Sequence, residues 1–415
     1  MKEESMKKRN RPRGMKAMVM SAVAAGFITA FPVIPAAEEI SEAAVPGQGT
    51  GTTYYVSSQN GDDANDGQSE NKAFQSLEKI NELTLGPGDQ VLLECGSIFN
   101  NQALHLKGSG SEEAYIVVTS YGEGNKPQIN TNGWGQWKQN YRDDKAVGDM
   151  PAGGKTVSTA LLLNDVEYIE VSSLEITNDR DRDGGYNDGK AYNAEDALDR
   201  TGVASMAKNN GTLDHIVLRD LYIHDVDGNV YNKQSVNGGI YFVAGIADNE
   251  EATGIARYND VLIENCYLDN VNRKGIGCAY TAYGEQQFGS KTYLSDEDMQ
   301  KYGATNVVIQ NNYVKGAGGD AITPQYCYRP IVQYNVAEEA GRQMNTEDYQ
   351  REAGRVAAGI WPWTCKDAVF QYNECFNTLN AASGNGDGQA WDADTGDGTL
   401  YQYNYSHGNT GGTVM

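Results

Sequence analysis

Residues 401–404 read Tyr401-Gln402-Tyr403-Asn404, and the chain carries the same phrase three times before: Phe370-Gln371-Tyr372-Asn373, Val332-Gln333-Tyr334-Asn335 and Ile309-Gln310-Asn311-Asn312. Looser versions stand upstream as Ile263-Glu264-Asn265-Cys266, Leu218-Arg219-Asp220-Leu221 and Val171-Ser172-Ser173-Leu174. The fourth positions, Leu174 through Asn404, lie 47, 45, 46, 23, 38 and 31 residues apart. Spacings of roughly 23 residues, or about twice that, are those of coils with loops of variable length, each burying its face only against its neighbours. The repeated Asn predicts a ladder of side-chain amides stacked at a turn.

A second phrase interleaves with the first. It runs Gly275-Ile276-Gly277-Cys278, then Asp320–Cys327, then Ala358–Cys365, and last Asp387-Gly388-Gln389-Ala390-Trp391-Asp392-Ala393-Asp394. Set in register, Cys327, Cys365 and Asp394 share one column. Gln325, Trp363 and Asp392 share another, and Lys274, Asp320 and Asp387 occupy a turn column. Two strand families per coil give an all-β fold, a right-handed parallel β-helix. A propeller would need blades of about 40 residues with four strands each, and four are not found.

Upstream, Thr53-Tyr54-Tyr55-Val56 reads as the first strand, and Gln90–Leu93 and Ala114–Thr119 as later ones. Between them Phe74, Leu77, Ile80 and Leu83 recur about every third residue over Ala73–Leu83, which predicts a short amphipathic N-terminal helix capping the solenoid. Long insertions at Gly133–Thr159, Asp179–Arg200, Ala244–Arg257 and Ala282–Gly303 are expected to wall one face. The last phrase runs to the end of the sequence with no visible cap, so an additional C-terminal module or a partner chain is expected to cover that edge.

The 415 residues carry a net charge of −23, and residues 1–16 hold seven bases and two acids, so the remainder carries −28. Nucleic acid and anionic membranes are poor partners for such a surface. The basic start, the apolar run Ala17–Ile34 and Ala36-Ala37 read as a signal peptide over residues 1–37, with a polar linker over 38–51 and the β-helix over 52–415. A secreted or cell-surface location follows. In that setting the six cysteines could pair as disulfides. No zinc spacing is present and no cofactor is expected. Calcium is at most structural, since Asp179-Arg180-Asp181-Arg182-Asp183-Gly184 begins like a calcium loop but has Lys190 where a bidentate Glu is needed.

The chemistry concentrates in residues 384–404, GNGDGQAWDADTGDGTLYQYN, with Asp387, Asp392, Asp394, Asp397 and Trp391 close together. Paired carboxylates beside an aromatic face suit glycosidic bond cleavage, whereas Asp-Gly pairs alone are ordinary turn chemistry. Asp392 and Asp394 face one side of a strand. Asp387 is up to roughly 23 Å from Asp394 if the chain is extended, so spacing alone favours the closer pair. Trp361, Trp363 and Trp391, with Gln389, are candidate substrate-binding residues.

Arg273-Lys274 offers an alternative, the base and charge-neutraliser of a polysaccharide lyase. A non-catalytic carbohydrate-binding or adhesin β-helix is the third reading.

The opening Tyr54-Tyr55-Val56-Ser57 with Asn65-Asp66-Gly67, then Gly86-Pro87-Gly88-Asp89-Gln90-Val91 and Ser120-Tyr121-Gly122-Glu123-Gly124, resembles exported bacterial β-helix proteins acting on carbohydrates. The stretch Asp387–Asp394 resembles the β-helix glycoside hydrolases typified by lacto-N-biosidase. The resemblance implies an oligosaccharide or polysaccharide substrate, release of a disaccharide from a glycan's non-reducing end, and retention. It also implies a catalytic pair of aspartates seven residues apart, which here matches Asp387 and Asp394. Asp394 is then the nucleophile, Asp387 the general acid/base and Asp392 a supporting carboxyl.

Overall fold

The computed structural model describes residues 51–191, 193–289, 293–344, 349, 351, 356–380 and 387–414. The segment read as a signal peptide, nearly all of the linker, and Gly384–Gly386 lie outside the described residues. From Thr53 onward the chain winds as a parallel β-helix of three sheets, successive coils passing through the first sheet, then the second, then the third, which in the last coils continues only as isolated bridges. The parallel ladders begin with Thr53–Val56 on Gln90–Glu94, well before Ala114.

The repeated phrase sets the first sheet. Its first positions stack residue on residue as Val171, Leu218, Ile263, Ile309, Val332, Phe370 and Tyr401. The third positions, Ser173 through Tyr403, all take left-handed backbone with φ between 52° and 58°. One such residue turns the chain from the first sheet into the second. Asn and Asp accept this conformation easily, and tyrosine does so at a cost. Here Tyr334, Tyr372 and Tyr403 offset it by stacking, with ring centroids 5.1 Å apart at each step.

The fourth positions form the expected ladder. Asn312 Nδ2 donates to Asn335 Oδ1, Asn335 to Asn373 and Asn373 to Asn404, each at 3.0 Å. A parallel glutamine ladder joins Gln333 to Gln310 at 3.0 Å, and Gln371 to Gln333 and Gln402 to Gln371 at 2.8 Å.

Inside, one apolar column from each sheet fills the coil. The third sheet supplies Leu104, Leu161, Val203, Ile240, Ile276, Ile322, Ile360 and Trp391. The second sheet shrinks toward the C-terminal coils, from Val314 to Ala337, Cys375 and Ser406. That leaves volume for Phe370, Trp391 and Tyr401 opposite, a large-for-small exchange that keeps the interior filled.

The N-terminal helix is shorter than its periodicity suggests. Only Glu78–Asn81 is α-helical, after a 3-10 turn at Glu70–Lys72. Phe74, Leu77 and Ile80 still bury into the core over Leu104. None of the six cysteines is paired in a disulfide, and five are buried. The segment that begins like a calcium loop holds neighbouring ion pairs, with Arg180 on Asp181 at 3.1 Å, while Lys190 bonds Asp196. No group of three side chains suited to a metal occurs among the described residues.

Candidate active site

The third sheet faces outward beneath the longest loops, because the insertions enter between the second and third sheets and between the third and first. Its last described coils carry the candidate residues, and here the register differs from the one read in the sequence. Trp391 bridges to Ile360, Lys366 to Asp397, and Gly359 N donates to Gln389 O at 3.0 Å. The final coil therefore sits two residues away from the expected alignment. Asp392 lies beside Trp361, Asp394 beside Trp363, and Gln389 beside Ala358. Asp394 is not in the column of Cys327 and Cys365, and Asp387 is not in the column of Asp320.

The register decides what each side chain can do. Trp391 points into the coil, 4% exposed, with its ring 6.0 Å from Tyr401. It is a core residue and offers no face to a sugar. Trp361 and Trp363 do share the outward face, stacked 6.3 Å apart at 18°. Trp361 is buried and Trp363 half-buried. The ammonium of Lys233, from the segment before Gly238–Ala244, lies 5.2 Å and 4.8 Å from the two ring centres. Gln389 is buried with its side-chain nitrogen lacking a partner.

The sheet brings Asp387, Asp392 and Asp394 into one group. Burial, then the charges of Asp320 and Asp394, raise the carboxyl of Asp387, against the pull of Lys233. Burial, then Asp394 and Asp387, push Asp392 up to about 7. Asp392 is buried, Asp387 half-buried and Asp394 exposed. Asp397 is apart from them, held on Lys366 at 3.0 Å and accepting from Leu294 N at 3.2 Å.

Two further charges complete the site. Lys274 and Asp320 face each other across adjacent coils, fully buried, with Nζ 2.8 Å from Oδ2. Burial alone would raise the Asp320 carboxyl, but Lys274, Lys233 and Arg273 together hold it well below the usual range. Burial brings Lys274 down to about 8 despite the opposing pull of Asp320. The sequence does place Lys274 and Asp320 in one column, but it gives no sign that both are buried. Lys233 stands outside every repeat, so no periodicity could have found it.

Outward carboxylates and stacked indoles thus lie together on one sheet of a parallel β-helix, and the chain that carries them is similar to carbohydrate-active proteins. It resembles lacto-N-biosidases in particular. It is 51% identical over 399 residues to the lacto-N-biosidase of Bifidobacterium longum subsp. longum, a match covering 88% of this chain and 25% of that protein. Crystal structures of the GH136 lacto-N-biosidase from Eubacterium ramulus, native and selenomethionine forms, superpose with a TM-score of 0.82 at 48% identity. Those superpositions cover 88% of this chain and 57% of theirs. The chain thus spans a quarter of the curated relative's length and little more than half of the solved ones. No protein-family model matches it.

Proposed function

We propose that this protein is an exported glycoside hydrolase that acts on neutral or amino-sugar-containing glycans in the manner of lacto-N-biosidase, releasing a disaccharide with retention. The observation that carries the reading is the gathering of Asp387 and Asp394 into one carboxylate group, in a chain 51% identical to a lacto-N-biosidase. Asp394, exposed beside Trp363, is the carboxylate free to attack the anomeric carbon. Asp387, its proton held by burial and by like charges, gives that proton to the leaving oxygen. The bond to the aglycone breaks as a glycosyl ester to Asp394 forms. Asp387 then takes a proton from water, the water attacks the ester, and Asp394 is freed. Asp392 is a buried neighbour whose carboxyl resists ionising, which limits repulsion against the nucleophile. Trp363 offers the aromatic face that holds a sugar ring.

The lyase reading finds less support, because Lys274 is buried on Asp320 and cannot reach a substrate proton. The test is product analysis on nitrophenyl mono- and disaccharides beside polyuronates. A new reducing end from the glycosides supports the hydrolase, and an unsaturated product absorbing in the ultraviolet overturns it.

A further inference from the structure

We propose that Asp320 and Lys274 form a buried positioning pair that sets the Trp361–Trp363 stack against the aspartates. The catalytic consequence rests on the hydrolase reading above; the structural claim does not.

Both charges are out of water, with side chains 1% and 0% exposed. A buried ion pair is weak evidence for stability, since well-packed apolar residues of similar volume often do as well or better in its place. Apolar residues could not, however, do what this carboxylate does. Asp320 Oδ2 accepts from Lys274 Nζ at 2.8 Å. Its Oδ1 accepts from Trp361 Nε1 at 3.1 Å and from Ala358 N at 3.3 Å. The indole has a single donor, so this one hydrogen bond fixes the rotation of the ring. The Ala358 amide ties the same carboxylate to the backbone three residues before that ring.

Lys274 reaches the site because residue 277 is glycine. A Cβ there would lie 3.1 Å from Lys274 Cδ and 2.8 Å from the Tyr241 ring. The lysine also approaches the indole face, 5.7 Å from the Trp361 ring centre. Trp361 stacks on Trp363, and the register puts the two rings beside Asp392 and Asp394. The chain of contact runs from the pair to the indole, from the indole to its neighbour, and from both to the reacting groups.

The test uses the double variant Lys274→Met with Asp320→Leu, which removes both charges and keeps side chains of similar shape. Its readouts are thermal unfolding, the tryptophan exciton couplet in circular dichroism, and glycoside turnover. The expected result is an unfolding temperature near that of the parent, loss of the couplet, and a fall in kcat of about 100-fold with a smaller change in KM. Adding Trp361→Phe to the double variant should cost little more, because the two changes act through one contact. A folded double variant with the parental couplet and kcat overturns the proposal. If that variant does not fold, Trp361→Phe alone decides, since it removes the N–H that the carboxylate holds and keeps an aromatic ring at the position. A comparable fall in kcat supports the pair, and parental kcat overturns it. If the parent protein cleaves no glycoside, the hydrolase reading fails, and the couplet alone judges the positioning claim.

Discussion

Trp391 pairs with Ile360 across adjacent coils, two residues away from the alignment read in the sequence, and this one relationship rearranges the site. It sends the Trp391 indole into the core and brings Asp392 and Asp394 alongside Trp361 and Trp363. Each aspartate in the outward group then has a distinct environment: exposed for Asp394, half-buried for Asp387, buried for Asp392.

Substitution of the aspartates separates their roles. Asp387→Asn and Asp394→Asn are each predicted to lower turnover on the order of 10³-fold or more, with substrate binding nearly intact, because Asn cannot exchange a proton or form the glycosyl ester. Asp392→Asn should cost about 10- to 100-fold. Added azide should restore activity to Asp387→Asn, since it attacks the ester without proton assistance. Steady-state kinetics with and without azide provide the check, and near-normal turnover in Asp387→Asn would move the acid to Asp392.

The tryptophans should divide cleanly between stability and binding. Trp391→Ala is predicted to destabilise the fold by about 3–5 kcal/mol, the cost of emptying a large core site. Trp363→Ala should leave the unfolding midpoint close to the parent and raise KM instead. A Trp391→Ala protein of unchanged stability with weakened glycan binding would show that its ring faces the substrate after all. Chemical denaturation and substrate titration on both variants decide this.

The asparagine ladder should be strongest at its centre. Asn373 is buried, accepts from Asn335 N and Nδ2, and donates to Asn404 Oδ1 and to Val332 O. Asn373→Leu leaves donors of Asn335 without acceptors and is predicted to cost about 2–4 kcal/mol. Asn404→Leu, at a half-exposed rung where water can substitute, should cost less. Equal losses at the two positions, measured by urea denaturation, would mean that the ladder adds nothing beyond side-chain size.

A pH effect on stability is expected from Asp227. Burial, then a hydrogen bond to the Asp179 carboxyl, push it from an ordinary value of 3.8 up to about 7. The folded protein keeps this proton where the unfolded chain has lost it. Its contribution is therefore fully present below about pH 4 and is lost as pH rises toward about 7. Asp227→Asn removes that loss, so the variant should gain on the parent between about pH 5 and about pH 8. Denaturation midpoints at the two values test it, and a constant difference would rule out the shifted carboxyl.

The sequence by itself determined the β-helix. Each coil repeats one demand, an inward apolar residue followed by a left-handed corner and an amide that bonds the next coil. Identical demands leave identical letters, such as Gln333-Tyr334-Asn335 and Gln371-Tyr372-Asn373. The aspartates were visible too, since their density and the spacing of Asp387 to Asp394 are linear properties of the chain. The register of the third sheet was decided only by the tertiary structure. Its strands follow loops of unequal length and carry no ladder of like residues, so nothing local fixes their alignment. Interior volume fixes it instead: Cys375 and Ser406 are small in the second sheet, and Trp391 fills the space they leave. The same folding brings Lys233, Lys274 and Asp320 to the aspartates from up to 161 residues away in sequence. Their meeting depends on how successive coils stack, and no stretch of the chain records it.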